Sequence, residues 1–224
     1  MSYEASVVTV SLMLVFTGLW FGTKFLRANN PLLGYEWYIL AFSASNAAIY
    51  FATGRELHIE IALFCDAFSR TVGIPVIGTL GLMQVTHGLK LSPAAKVGLF
   101  VLGALVAAAF VASPALNRLL PVTALALGMA FTWLMASMAF CLFRIGNPVH
   151  GALMALFTVL FFLVAISEGI AELPNPDKLI VLDFWFFANL IWALGFAEIY
   201  YAYRAIEHAG AQEDASRTSL GVQA

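Results

Sequence analysis

Seven runs of about 20 apolar residues, each ended by a short polar break, constrain this chain more than any other feature. An α-helix rises about 1.5 Å per residue and the hydrocarbon core of a bilayer is about 30 Å thick, so about 20 residues make one crossing. The runs lie at about 5–26, 35–54, 59–88, 95–113, 120–144, 150–173 and 183–204. Between them stand "RANNPLLG", "GRELH", "KLSPAA", "SPALNRLLP", "RIGNPVHG" and "LPNPDKL", which carry turn chemistry. Connections this tight make successive helices antiparallel neighbours. The expected fold is therefore an all-α integral membrane protein. It is a seven-transmembrane helix bundle forming a single domain over 1–206. The polar stretch 207–224 is expected to be a disordered cytoplasmic tail.

Composition agrees with this reading. The chain is 62% hydrophobic and 11% charged, whereas soluble domains carry roughly 25% charged residues. A net charge of −2 argues against nucleic acid, which calls for a basic face. Cys65 and Cys141 both fall inside apolar runs, so no disulfide framework is implied. The start "MSYEASVVTV" has no basic region and no small-residue cleavage site follows it, so the first run is expected to serve as both targeting signal and first span.

Basic residues set the expected orientation. With the N-terminus outside, the cytoplasmic side receives Lys24, Arg27, Lys90, Lys96, Arg144, Arg204 and Arg217. The outside receives Arg55, Arg118 and Lys178, and Arg70 stays within the membrane. Seven against three favours N-terminus out and C-terminus in, a multi-pass arrangement in a plasma membrane such as the bacterial inner membrane. No internal repeat of the kind an inverted-repeat transporter needs is visible.

Charged side chains inside a bilayer cost a few kcal/mol or more, so each needs a partner or a use. Asp66 and Arg70 lie two and three turns below the outer end of the third run. Spacing of i,i+4 puts them on one face as an ion pair. Pro75 removes the hydrogen bond to the Thr71 carbonyl and leaves it as a further acceptor. Asn46 in the second run, Asn189 in the seventh and Glu168 in the sixth are expected to converge with the pair in the outer half. Glu56, His58, Glu60, Glu172, Asp177 and Asp183 would form an acidic rim above. Glu198 stands apart in the inner half of the seventh run. Candidate ion- or ligand-binding residues are thus Asp66, Arg70, Asn46, Glu168, Asn189 and Glu198. Each also has a plain role open to it: the pair as a structural lock, the asparagines as interhelical glue, and Glu198 as a hydrogen-bonded acid.

Four histidines are present. His87 and His150 stand at one depth, as a haem pair would, but both also simply mark helix ends. Zinc hydrolysis needs about three protein ligands, and the outer face offers only His58 beside its acids, so no metal site is assigned. No catalytic triad, phosphate loop or paired-cysteine motif occurs. The run "FWFFANLIWALGF" puts Trp185, Asn189 and Trp192 on one stripe and Phe184, Phe187 and Ile191 on another, which suits the wall of a pocket for an apolar ligand.

The seven runs, the orientation, the short breaks and the length together resemble the microbial rhodopsins. "ISEG" at 166–169 and "VLD" at 181–183 resemble the end of that family's sixth helix and the start of its seventh. Asp66, Arg70 and Pro75 resemble its third helix, although the family places arginine before aspartate. The family attaches retinal through a lysine four residues after the seventh-helix aspartate. That position here is Phe187, the seventh run contains no lysine, and the sixth lacks the tryptophan and tyrosine that sandwich the chromophore. The resemblance implies a rhodopsin-like bundle with no covalently bound retinal, and the residues specify no other cofactor.

The leading functional expectation is handling of a small ion, the proton foremost, or sensing of a small ligand. Asp66, Arg70 and Glu168 would form the outer site and Glu198 an inner relay. One alternative is a membrane enzyme acting on a lipid or isoprenoid, with Glu168, Asp66 and His58 as acid–base groups. Another is a subunit of a larger membrane complex in which the Asp66–Arg70 pair is structural. The expected partners are the lipid bilayer and a small ion or apolar molecule, with a second copy or a membrane complex as a further class.

Overall fold

A computed structural model describes residues 3–170 and 184–219. Seven long helices run through them. They are α1 (Tyr3–Arg27), α2 (Pro31–Thr53), α3 (Glu56–Thr86), α4 (Pro93–Ala112), α5 (Leu120–Arg144), α6 (Pro148–Ile170) and α7 (Phe184–Ser219). A single turn of helix, Pro114–Asn117, joins α4 to α5. Helix starts follow local chemistry. Asn30 accepts from the Leu33 N–H with Pro31 just inside, and Ser92 accepts from the Ala95 N–H with Pro93 just inside. Gly54 ends α2 at φ 69, a conformation that glycine adopts without steric cost. The Asn30 amide also donates to the Gly81 carbonyl at 2.8 Å, tying the start of α2 to the end of α3.

Five helices are long and apolar enough to cross a membrane: α1, α3, α4, α5 and the Pro148–Ser167 portion of α6. These are the properties of a multi-pass helical membrane protein. The two helices outside that group, α2 and α7, hold the buried polar residues Glu36, Asn46, Asn189 and Glu198. Their hydropathy is lowered by groups that the bundle itself covers.

Within α3 the backbone changes register. Glu56–Phe68 and Thr79–Thr86 are α-helical, but Ser69–Gly78 is a π-helix. Pro75 lies inside it. Proline has no N–H and its ring meets the carbonyl four residues back in an α-helix. In the π register each N–H pairs with the carbonyl five residues back, so the bond that Pro75 cannot make belongs to Arg70. This corrects the expectation that the Thr71 carbonyl is left over. α7 continues as helix to Ser219.

The helices close a ring in the order α1, α2, α3, α5, α6, α7 and back to α1, with α4 resting on α3 outside it. Small residues let α1 and α2 approach closely. A Cβ on Gly18 would stand 2.7 Å from the Trp37 carbonyl, and one on Gly22 would stand 3.0 Å from the Gly34 carbonyl. The main core is an aromatic plug. Trp37 is fully buried between Phe25 and Phe196, with ring centroids 5.3 and 4.7 Å away. A second cluster joins α2, α3 and α4 around Phe68 and Ile77. There Gly103 of α4 accepts the Phe68 ring, whose Cδ2 would lie 3.0 Å from any added Cβ.

Candidate ligand cavity and its polar groups

The ring encloses a cavity of about 120 Å³, part of it open at the mouth. Its walls come from every helix of the ring. Leu14 belongs to α1, Leu40, Ala44 and Ala47 to α2, and Ala62, Asp66, Ser69, Arg70 and Pro75 to α3. Gly128, Phe131 and Thr132 stand on α5, Phe161 and Val164 on α6, and Trp185, Asn189, Trp192 and Phe196 on α7. The lining is mostly aliphatic and aromatic, with a few polar groups. That is the usual make-up of a small-molecule site.

Asp66 and Arg70 form an ion pair at 2.7 Å on the cavity wall, with side chains only 11% and 18% exposed. Their i,i+4 spacing on the last α-helical turn and the first π turn makes this bond local to α3. The charges cancel, so the wall presents a strong dipole and no net charge. Asn189 is buried, lines the same cavity, and donates to Ser11 Oγ of α1 at 3.1 Å. Trp185 and Trp192 stand with it, so the stripe read from the sequence of the seventh run faces the cavity.

The other candidates lie elsewhere. Asn46 is buried and accepts from His58 Nδ1 at 2.8 Å, while its amide donates to the Phe42 carbonyl. It pins the start of α3 to α2 and contributes nothing to the cavity wall. The side chain of Glu168, together with Glu172, Asp177 and Asp183, lies outside the described residues. Glu198 is at the far end of the bundle, and it is not alone. His150 Nδ1 of α6 shares a hydrogen bond of 2.7 Å with its carboxyl. This corrects the expectation of an isolated carboxyl. His150 also stacks on Tyr201, centroids 6.0 Å apart, and Lys24 stands over the rings of Trp20, Phe21, Tyr200 and Tyr201 at 5.1 to 5.9 Å. Basic and aromatic groups therefore gather at that end, one of them in a cation–π cage.

Histidine geometry bears on the metal and haem readings. His58 Nδ1 is engaged by Asn46, His87 Nδ1 by Thr86 and His150 Nδ1 by Glu198. Among the described residues no group of three or more His, Cys, Asp or Glu is placed to hold a metal ion. Phe187, at the position where the rhodopsin resemblance would place a lysine, is 37% exposed.

One residue escaped the sequence reading altogether. Glu36 of α2 is 0% exposed, and neither carboxyl oxygen has a hydrogen-bond partner. It lies against the π-helical segment of α3, in a notch left by Gly73, where an added Cβ would stand 2.6 Å from its Cδ and Oε2. Its neighbours Tyr35, Trp37 and Tyr38 disguise it as part of an interfacial aromatic belt. The available signal was an acid one turn into an apolar helix with no cation three or four residues away.

Comparison of the chain with protein-family models, curated proteins and solved structures returned no match.

Proposed function

We propose that this chain is a seven-span protein of the plasma membrane, N-terminus outside and C-terminus cytoplasmic, that binds a neutral, largely apolar small molecule inside its bundle. The cavity carries this reading. The Asp66–Arg70 pair, Asn189 and Thr132 supply hydrogen-bonding groups without net charge, and the aromatic and aliphatic walls supply contact area. Such a lining fits an elongated hydrocarbon bearing a single carbonyl or hydroxyl, the chemistry of an isoprenoid or polyene. The proposed contact is non-covalent. α2 and α7 count as spans here because the ring passes through both. The seven-to-three excess of basic residues supports the orientation.

Retinol is a suitable probe, being a neutral polyene alcohol whose absorption overlaps tryptophan emission. Titrated into protein in lipid nanodiscs, it should quench the fluorescence saturably through Trp185 and Trp192. Gly128 lines the cavity and a Cβ there would meet nothing within 4 Å. Gly128→Leu should therefore fill space and weaken binding at least tenfold. Unsaturable quenching, equal in both proteins, would overturn the proposal.

Proton handling is the second reading, and the buried Glu198 carboxyl with its His150 partner favours it. It predicts a pH-driven flux in liposomes that Asp66→Asn or Glu198→Gln abolishes. Flux that survives in both variants counts against it.

A further inference from the structure

The contact between α2 and the π-helical segment of α3 holds a chemistry that the ligand cavity does not use. A buried polar group with no formed bond is costly, and a buried charge with no partner far more so. Glu36 is fully buried with both oxygens unbonded. It packs against the π-helical stretch of α3 at Gly73, four residues after Ser69. Arg70, the nearby cation, bonds Asp66. Among the described residues no hydrogen bond or ion pair reaches the Glu36 oxygens, and such a site accommodates the neutral acid. The Gly73 notch fixes where that acid sits. Ser69 stands between this site and the cavity wall. Its Oγ is buried and unbonded, it stands four residues before the Gly73 notch that holds the Glu36 carboxyl, and its residue lines the cavity. A hydroxyl both donates and accepts, so it can pass a proton between two neighbours. Ser69 and Gly73 both belong to the π segment, a form of helix frequent at functional sites.

We infer that Glu36 and Ser69 form a proton-binding site in the α2–α3 contact, separate from the Asp66–Arg70 pair, that exchanges its proton with the cavity. Proton transfer is balanced within the site. The Glu36 O–H passes its proton to Ser69 Oγ as the Ser69 O–H passes its own to water in the cavity, and the reverse steps reload the acid.

Infrared spectroscopy on protein in lipid nanodiscs, with no ligand added, tests this independently of whether the cavity binds anything. At neutral pH a protonated-carboxyl carbonyl band should be present and should shift in D₂O. Glu36→Gln should remove it and Asp66→Asn should keep it. Gly73→Ala, which pushes the carboxyl out of its notch, should move its frequency. Ser69→Ala should slow hydrogen–deuterium exchange of the band, because the acid loses the hydroxyl nearest to it on the cavity side. A band that persists in Glu36→Gln, that ignores Gly73→Ala, or that exchanges at the wild-type rate in Ser69→Ala would overturn the inference.

Discussion

Replacing Glu36 by methionine should make this protein more stable. The two side chains have similar length and volume, so the Gly73 notch and the surrounding packing are retained. What is lost is a carboxyl with no exposure and two unbonded oxygens. Leaving a buried polar group unsatisfied costs about 1–3 kcal/mol. Taking the lower end for each oxygen gives about 2 kcal/mol of stabilisation, or roughly a 30-fold shift in the folding equilibrium. For a chain of this size that corresponds to about 4–8 °C in the thermal midpoint. The assay is reversible unfolding in mixed micelles, followed by tryptophan fluorescence, with Glu36→Gln as the polar control. The control should stay close to wild type, because the amide is as poorly satisfied as the acid. If Glu36→Met were less stable than wild type by about 1 kcal/mol or more, the carboxyl would have to be bonded, and both the burial argument and the proton site built on it would fail.

Three other outcomes follow from the same packing. Asp66→Leu breaks the Asp66–Arg70 ion pair in a mostly covered site and should lower stability, whereas Asp66→Leu with Arg70→Met should recover most of the loss in the same unfolding assay. At the other end, His150→Leu strands the Glu198 carboxyl at 7% exposure and should cost about 1–3 kcal/mol. Glu198→Leu leaves a His150 that is 30% exposed to find other partners, so it should cost less; the reverse order would contradict the geometry. Gly103→Val drives a side chain into the Phe68 ring and should cost about 1–3 kcal/mol by overpacking. It should loosen α4 first, seen as faster proteolysis near residues 87–92 with the tryptophan core intact.

The helices and their breaks were legible because hydropathy, prolines and caps act over a few residues. The Asp66–Arg70 pair was legible for the same reason, since both partners stand on one helix a turn apart. The Trp185, Asn189 and Trp192 stripe was legible because helical periodicity sets it, and that Asn189 would meet Ser11 was not. The pairing of His150 with Glu198 spans 48 positions and depends on how α6 and α7 slide past each other. The burial of Glu36 was hidden more deeply. It depends on a glycine 37 positions later and on the backbone there adopting a π rather than an α register. Pro75 announced a disturbance in α3, but the α-helical rule assigned the lost bond to the wrong carbonyl.

The path of the ring past α4 affects how the chain can be rearranged. α3 hands over directly to α5, so the enclosure around the cavity closes without α4. Only Gly103 and Ala107 of α4 are buried. A cut in the segment before α4, or in the one after it, interrupts the covalent chain at a place where the enclosing wall has no seam. New termini, a fused reporter or an inserted domain placed there would thus leave the walls of the cavity in place. The same operation between α1 and α2 would pull apart a pair of helices whose glycines hold them in backbone contact. α4 is the segment of this protein that can be re-engineered, or re-purposed as a handle, without opening what it leans against.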